Sequence, residues 1–247
     1  MNINQEQSVS VIIPAFNEEG NIREAIDGVV GVLAGLTQEY EIIVVDDGSI
    51  DGTYHLAVEK SRSNPRIHVV RNDCNQGFGF SFARGVSLAR MNYVTVFPGD
   101  NDVDPELLGR LLEKMDVADI VTSHPINRAK RSILRRALSQ GFVHLMNFLF
   151  GLHLKYYNGA FVTHTALIRC VPIKSQGLTA LAECLVRLIK AGYSYSSIPF
   201  EHVGRQREKS KALHFKSIIA VTTPIFVLWK DIHFSVGLIP EKPVCSI

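Results

Sequence analysis

Short apolar runs alternate with amphipathic segments through the first half of this chain. Strands are predicted over Val9–Pro14, Tyr40–Val45, Arg66–Val70, Tyr93–Phe97 and Asp119–Thr122. Helices are predicted between them over Glu18–Leu36, Asp51–Ser61, Phe78–Arg90 and Pro105–Met115. Strands that are apolar along their whole length are typical of a parallel sheet covered on both faces. The alternation therefore predicts an α/β protein.

The second half is less regular. Helices are predicted over Arg131–Leu154, Leu178–Ala191 and Leu213–Phe234, the last of them bent near Pro224. Strands are predicted over Tyr157–Thr163 and Tyr193–Phe200, and the basic stretch Gly204–Lys211 is predicted to be a mobile loop. No repeat, low-complexity tract or linker interrupts the pattern, which favours one domain over residues 1–247.

Composition excludes several classes of protein. Of the 247 residues, 46% are hydrophobic and 20% are charged, which is typical of a globular chain and not of a disordered, collagen-like or coiled-coil one. The net charge of +2 argues against a nucleic-acid partner. Four widely spaced cysteines fit neither a zinc site nor a disulfide framework, and they suit a reducing compartment.

The sequence shows no targeting or membrane-spanning segment. The first seven residues carry no Lys or Arg, unlike a signal peptide. The most apolar stretches, Phe142–Leu154 and Ile218–Trp229, are shorter than the roughly 18 residues needed to span a bilayer. Both could lie at a membrane surface, and basic residues precede the first of them: Arg128, Lys130, Arg131, Arg135 and Arg136. The alternative is a core helix whose N-terminal end is solvated.

Carboxylates cluster where two predicted strands end. Asp46 and Asp47 follow the second strand, and Asp100 and Asp102 follow the fourth. Ligands of parallel sheets bind beyond the carboxyl ends of the strands. There the first pair can accept hydrogen bonds from a nucleoside, and the second can share one Mg²⁺ or Mn²⁺. Each pair taken alone is also compatible with an ordinary polar turn.

Taken together, these motifs resemble family 2 glycosyltransferases, which have the Rossmann-like GT-A fold. The resemblance covers roughly residues 9–215 and is closest to the branch that includes dolichol-phosphate mannose synthase. It rests on VSVIIPAFNEEGNI (9–22), EIIVVDDGSIDGT (41–53), NQGFGFSFARGVSLA (75–89), FPGDNDVDPELL (97–108), YNGAF (157–161), AECLVRLIKAGY (182–193), IPF (198–200) and RQREKSK (205–211). It implies a mostly parallel sheet with helices on both faces and C-terminal amphipathic helices. It divides the chain into a nucleotide-binding half (about 9–123), an acceptor-binding half (about 124–234) and a tail (235–247).

The resemblance also implies roles for individual residues. The nucleotide pocket would be formed by Pro14, Phe16, Asn17, Glu18, Asp46, Asp47, Ser49, Asn75 and Gly77. Asp100 would bind the metal, with Asp102 as a second ligand or a supporting group. The basic loop that closes over the phosphates would contain Arg205, Arg207 and Lys211.

Two motifs depart from the branch. Its D-x-D motif is usually followed by Gln before a proline pair, and aligning Pro105 with that pair places Pro98 at the first Asp. Asp100 then takes the second Asp position, and Asp102 takes the Gln position. The Gly-Ser-Arg after the fifth strand is replaced by Ser-His-Pro at 123–125, so Arg128 or Arg135 could supply the missing Arg.

The implied reaction is inverting, metal-dependent transfer of a sugar from a UDP- or GDP-sugar. The expected acceptor is a polyprenyl phosphate, and the expected place is the cytoplasm at the cytoplasmic face of a membrane, with peripheral attachment. Asp100, Asp102, Glu183, Arg205 and Lys211 are the expected catalytic residues. Glu183 is the candidate base for the rival acceptor, a hydroxyl of a cell-envelope glycan or glycolipid. A non-catalytic nucleotide-sugar-binding relative is a second alternative, and a sugar-phosphate nucleotidyltransferase is disfavoured because AFNEEG stands where its Gly-rich basic loop would be.

Overall fold

One seven-stranded sheet organises the computed structural model, which describes residues 7–36, 39–101, 103–126, 133–201 and 215–234. The strands are β1 Val9–Ala15, β2 Tyr40–Asp46, β3 Ile67–Arg71, β4 Tyr93–Val96, β5 Ile120–Pro125, β6 Phe161–His164 and β7 Tyr195–Phe200. Their order in the sheet is β3-β2-β1-β4-β6-β5-β7. All neighbours pair in parallel except β6, which is antiparallel to β4 and β5. The sheet thus contains strands from both halves of the chain.

Helices cover both faces of this sheet. They are α1 Ile22–Leu36, α2 Thr53–Ser63, α3 Phe78–Leu88, α4 Glu106–Leu112, α5 Ile133–Phe150, α6 Thr165–Arg169, α7 Thr179–Lys190 and α8 Phe215–Phe234. On β1, Val11 and Ile13 pack into one core with α1 and α4, whereas Ile12 packs into the other core with α3, α5, α7 and α8. The fully buried apolar strand follows from this double covering, and the expected fold class is confirmed.

Differences from the predicted elements fall mainly in the second half. The strand expected at Tyr157–Thr163 is the shorter β6, and the short helix α6 was not predicted. Its residues Leu167 and Ile168 are buried in the core shared with α3 and α7. Helix α8 is continuous from Phe215 to Phe234, with Pro224 inside it. The loop expected at Gly204–Lys211 lies outside the described residues.

A buried carboxylate joins the central strands at the edge opposite the carboxyl ends. Glu41 on β2 accepts hydrogen bonds from Ser10 Oγ (2.7 Å), the Arg90 amide (2.6 Å) and Arg90 Nε (2.9 Å). Burial raises the pKa of Glu41, but these hydrogen bonds together outweigh it and hold the pKa below its usual value of 4.5. Glu41 therefore stabilises the folded state as a carboxylate.

We expect Glu41→Gln to weaken the protein in a pH-dependent way. Because the folded pKa is lowered, the carboxylate's contribution is complete above about 4.5 and is lost as pH falls through the folded pKa. In urea denaturation at pH 7, the free energy of unfolding of the variant should be about 1–3 kcal/mol lower than that of the wild type. This difference in the free energy of unfolding should become smaller as the pH is lowered. A difference that does not change with pH would contradict a stabilising role for the Glu41 carboxylate.

Candidate nucleotide-binding site

The loops after β1 and β2 interlock at the carboxyl edge of the sheet. Asn17 has a left-handed backbone (φ 55°), and its side-chain oxygen accepts from the Ile50 amide at 3.0 Å. Its own amide donates to Ser49 Oγ at 2.9 Å, and the Glu18 amide donates to Thr53 Oγ1 at 2.7 Å. Asn17 and Glu18 from the first motif are therefore hydrogen-bonded directly to Ser49 and Thr53 of the second.

Asp46, at the end of β2, is fully buried and has one cationic neighbour among the described residues. Arg71 Nε lies 3.0 Å from Asp46 Oδ2, although outside hydrogen-bonding geometry. Asp46 Oδ1 accepts no hydrogen bond from the described part of the chain. Arg71 also donates to the Ser49 carbonyl at 2.6 Å and lies over the Tyr54 ring at 4.9 Å. Sequence reasoning missed Arg71, because β3 carries no recognisable motif.

Asp47 shapes the loop that precedes α3. Its Oδ1 accepts from Asn72 Nδ2 (2.6 Å) and the Gln76 amide (3.0 Å), and its Oδ2 accepts from the Gly77 amide (2.8 Å). Asp47 is buried, and its carboxylate is occupied by groups of the protein itself. The structure thus gives Asp47 a clear role in positioning residues 75–77, and the predicted contact with a nucleoside stays a prediction.

Glycine is required where the β2–α2 loop meets residues 74–75. Gly48 has a positive φ of 72°, and a Cβ there would lie 2.6 Å from the Cys74 carbonyl carbon. Residues 46–49 and 72–77 therefore pack directly against one another, and together with the β1 loop they make up the candidate nucleotide crevice. In this region Asn75 and Phe16 are exposed, whereas Pro14 and Ser49 are buried.

Asp100 follows β4 on the next loop along the same edge. The Gly99 amide donates to the Pro14 carbonyl at 3.3 Å, and a Cβ at Gly99 would lie 2.9 Å from that oxygen. Asn101 next to it has a left-handed backbone (φ 54°), and its amide nitrogen Nδ2 donates to Glu24 at 3.3 Å. This close packing places the half-buried Asp100 beside the β1 loop.

The donor chemistry at this loop fits a divalent cation. A carboxylate oxygen is the ligand that Mg²⁺ and Mn²⁺ prefer, and Mg²⁺ commonly takes one or two carboxylates together with substrate phosphates. Within the described ranges, no group of three or more His, Cys, Asp or Glu side chains forms a protein-only metal cage. Asp102 lies outside those ranges. The predicted metal role of Asp100 and Asp102 stays a prediction.

Glu183, the candidate base, lies on α7, and both oxygens of its carboxylate accept hydrogen bonds from the protein. Its Oε1 accepts from Arg187 Nε (2.9 Å) and Nη2 (2.8 Å), and its Oε2 accepts from the amides of Lys174 (3.1 Å) and Ser175 (2.8 Å). The residue is 2% exposed. In this arrangement no acceptor hydroxyl reaches the carboxylate, so the structure gives the proposed base no support.

Several residues with a predicted role lie outside the part of the chain that the structure describes. Arg205, Arg207, Lys211 and Arg128 lie outside the described residues, and the side chain of Arg135 is likewise not described. The Ser-His-Pro at 123–125 forms the end of β5 itself, where Ser123 Oγ donates to the Ala160 carbonyl at 2.7 Å and His124 Nδ1 lies 2.8 Å from Ser197 Oγ.

Comparison with a model of a known protein family shows which family the chain belongs to. The model described as "Glycosyl transferase family 2" matches residues 10–175. The chain belongs to this family. The matched range includes the interlocked loops, the crevice around Asp46 and Asp47, and Asp100.

Relatives of this family-2 chain include two named for lipid-linked reactions. It is 30% identical over 233 residues to a dolichol-phosphate mannosyltransferase of Pyrococcus furiosus, covering 90% of this chain and 64% of that protein. It is 29% identical over 143 residues to an undecaprenyl-phosphate 4-deoxy-4-formamido-L-arabinose transferase of Photorhabdus laumondii, covering 57% and 43%. The chain thus spans less than two-thirds of the length of the curated relatives it matches.

Solved structures confirm the GT-A fold. Glucosyl-3-phosphoglycerate synthase from Mycobacterium tuberculosis in complex with UDP superposes with a TM-score of 0.67 at 18% identity, covering 91% of this chain and 79% of that one. The same protein in complex with Mn²⁺, UDP-glucose and phosphoglyceric acid gives a TM-score of 0.66 at 18% identity, with the same coverage. At this identity the likeness concerns the fold.

Proposed function

We propose that this chain transfers a sugar from a UDP- or GDP-sugar to a polyprenyl phosphate with inversion at the anomeric carbon. The observation that carries the proposal is the meeting of the β1, β2 and β4 loops at the carboxyl edge of the sheet, where Asp46 and Asp100 follow β2 and β4 of a family 2 fold. Similarity to the Pyrococcus furiosus dolichol-phosphate mannosyltransferase over 90% of this chain supports the lipid-phosphate acceptor.

Within this proposal the two carboxylates have different tasks. Asp46 is fully buried beside Arg71 and would support the loop after β2, while the exposed side chains of Phe16, Asn17 and Asn75 would contact the nucleoside. Asp100, with Asp102, would hold Mg²⁺ or Mn²⁺, which neutralises negative charge on a leaving diphosphate. Arg205, Arg207 and Lys211 would add cationic hydrogen-bond donors to the same phosphates.

The state of Glu183 favours a phosphate acceptor over a hydroxyl. A hydroxyl needs a base to remove its proton during attack, whereas a phosphate ester is already largely anionic near pH 7, because its second pKa is about 6. The only base suggested by the sequence accepts four hydrogen bonds from the protein itself. A chain that uses a phosphate acceptor needs no such base.

Membrane association is part of the proposal because the acceptor is a lipid. Large apolar side chains are exposed on two helices that meet where the Phe150 and His233 rings lie 6.3 Å apart: Leu138, Leu145 and Phe148 on α5, and Phe226, Val227 and Phe234 on α8. Across the described ranges, no helix has the combination of length and apolar character that a membrane span needs. Exposed aromatic residues on a helix that follows a basic stretch in the sequence favour binding at the surface of an anionic bilayer.

We expect the protein to float with vesicles that contain phosphatidylglycerol. The double variant Phe148→Glu/Phe226→Glu should lower the partition coefficient by about tenfold or more, because it removes apolar area and adds negative charge. Val117→Glu is the matched control, since Val117 is also exposed but lies between α4 and β5. Equal flotation of the double variant and the control would contradict this surface.

The test of the reaction is a transfer assay with matched acceptors. Purified protein with Mg²⁺ or Mn²⁺ is given UDP- and GDP-sugars together with either a polyprenyl phosphate or the corresponding free polyprenol. Sugar on the phosphate alone is expected. Transfer to the free alcohol would move the assignment to a hydroxyl acceptor. Absence of both turnover and nucleotide binding would favour a non-catalytic relative.

A further inference from the structure

A buried ionic network lies behind the nucleotide crevice, between α7 and α8. Glu183 and Arg187, one turn apart on α7, form an ion pair whose side chains are each 3% exposed. Arg187 Nη2 also lies 2.6 Å from Asp231 Oδ2 on α8, and Lys174 Nζ lies 2.7 Å from the same oxygen. Burial raises the pKa of Asp231, but hydrogen bonds from Lys174 and Arg187 outweigh it and keep the pKa below its usual value. Two carboxylates and two cations therefore neutralise one another here.

The network holds the backbone amides of Lys174 and Ser175, which directly precede Gln176. Glu183 Oε2 accepts from the amides of Lys174 and Ser175, and the Lys174 side chain is held by Asp231. Charge-assisted hydrogen bonds to backbone amides are stronger than neutral ones. The position of this loop therefore depends on Glu183 from the side of α7 and on Asp231 from the side of α8.

The same loop supports the start of α3. The Gln176 carbonyl accepts from the Gly79 amide at 2.6 Å, and it would lie 2.6 Å from a Cβ at Gly77. The Ser175 carbonyl is closer still to α3, since a Cβ at Gly79 would lie 1.9 Å from it. Gly77 in turn donates to Asp47, so these contacts form a continuous path from residues 175–176 to the β2 side of the crevice.

We propose that Glu183 is a positioning residue, and that with Arg187 and Asp231 it couples the packing of α8 to the shape of the nucleotide crevice. This inference rests on the proposed function only in naming a nucleotide as the ligand of the crevice. It replaces the role of base with one in which Glu183 never touches the acceptor. Since α8 also carries the exposed apolar face, the network links the proposed membrane surface to donor binding.

Amide exchange tests the coupling without any ligand. In Glu183→Gln and in the milder Asp231→Asn, hydrogen–deuterium exchange across residues 74–82 should rise by about tenfold, a size typical of coupling between separate sites. Asp231→Glu should restore slow exchange, because it keeps the charge. The control is Glu59→Gln, which removes a carboxylate from an exposed ion pair with Arg23. Unchanged exchange in Asp231→Asn would overturn the proposal.

Nucleotide affinity separates a positioning role from a base. UDP and GDP binding, measured by calorimetry with Mg²⁺, should weaken by about tenfold in Glu183→Gln and Asp231→Asn, with full affinity in Asp231→Glu and Glu59→Gln. A base would instead lower kcat in Glu183→Gln and leave nucleotide binding intact, and that result would overturn the inference. A wild-type protein that binds neither nucleotide contradicts the proposed function, whereas the exchange data still decide the coupling.

Discussion

Asp100→Ala is expected to reduce sugar transfer by about 10³-fold or more while the fold stays intact. Asp100 lies on the loop after β4, and it is half-buried beside the β1 loop. Removing it takes away the ligand that would hold a cation against the leaving diphosphate, and single groups that stabilise developing charge are commonly worth 10²–10³-fold or more. Initial rates with saturating donor, measured over a range of Mn²⁺ concentrations, give the effect.

The control for Asp100 separates metal binding from loop structure. Asn101→Gly removes the neighbouring side chain and its bond to Glu24 but keeps the left-handed backbone, which glycine adopts readily. This variant should keep most of the activity. If Asp100→Ala retained near-wild-type activity at high Mn²⁺, Asp100 would not be a metal ligand. Loss of thermal stability in Asp100→Ala alone would show that the loop itself had been disturbed.

Apolar runs predicted the first half of the fold because local burial determines it. The strands at Val9–Ala15 and Tyr40–Asp46 are buried throughout, so their sequences need no polar alternation. The observed ends of a helix differ from the predicted ones where tertiary hydrogen bonds compete with those of the helix. Helix α1 was expected from Glu18 but starts at Ile22, because the Glu18 and Glu19 amides donate to Thr53 and Asp51. Those partners are more than thirty residues away and leave no local signal.

The second half was harder to predict because its pairing is non-local. Strand β6 is short and antiparallel to both neighbours, and nothing within Phe161–His164 indicates that direction. Upstream of it, Tyr157 Oη donates to Asn147 Oδ1, and a Cβ at Gly159 would lie 2.4 Å from the Ser123 carbonyl oxygen, so this stretch is held by contacts other than strand pairing. Tertiary contacts therefore replaced part of the expected strand.

At the candidate site, the sequence motifs predicted where the residues lie better than they predicted what each residue does. Asn17, Ser49, Asp47 and Gly77 are hydrogen-bonded as two pairs at one edge of the sheet. The sequence could not distinguish Asp46, which has an oxygen without a hydrogen bond, from Asp47, whose carboxylate is occupied. Likewise, the sequence motif around Glu183 carries no sign of the backbone amides at 174 and 175 that it accepts from.

Gly79→Ala is expected to lower the free energy of unfolding by about 3 kcal/mol, the upper end of what overpacking a core commonly costs. A Cβ at this position would lie 1.9 Å from the Ser175 carbonyl and 2.9 Å from Ala180 Cβ. Either α3 or the 175–176 backbone must move, and the Gly79–Gln176 hydrogen bond would be strained with it. The melting temperature should fall by about 6–12 °C, as measured by calorimetry.

The matched control for Gly79→Ala is a glycine whose replacement by alanine is expected to raise the free energy of unfolding. Gly31 is an exposed helical glycine of α1, and a Cβ there meets nothing within 4 Å. Gly31→Ala should therefore raise stability by up to about 1 kcal/mol through helix propensity alone. If both alanine variants were equally stable, residues 175–176 would not pack against α3 as the structure has them. If Gly79→Ala lost stability but kept full nucleotide affinity, this contact would support the fold without shaping the crevice.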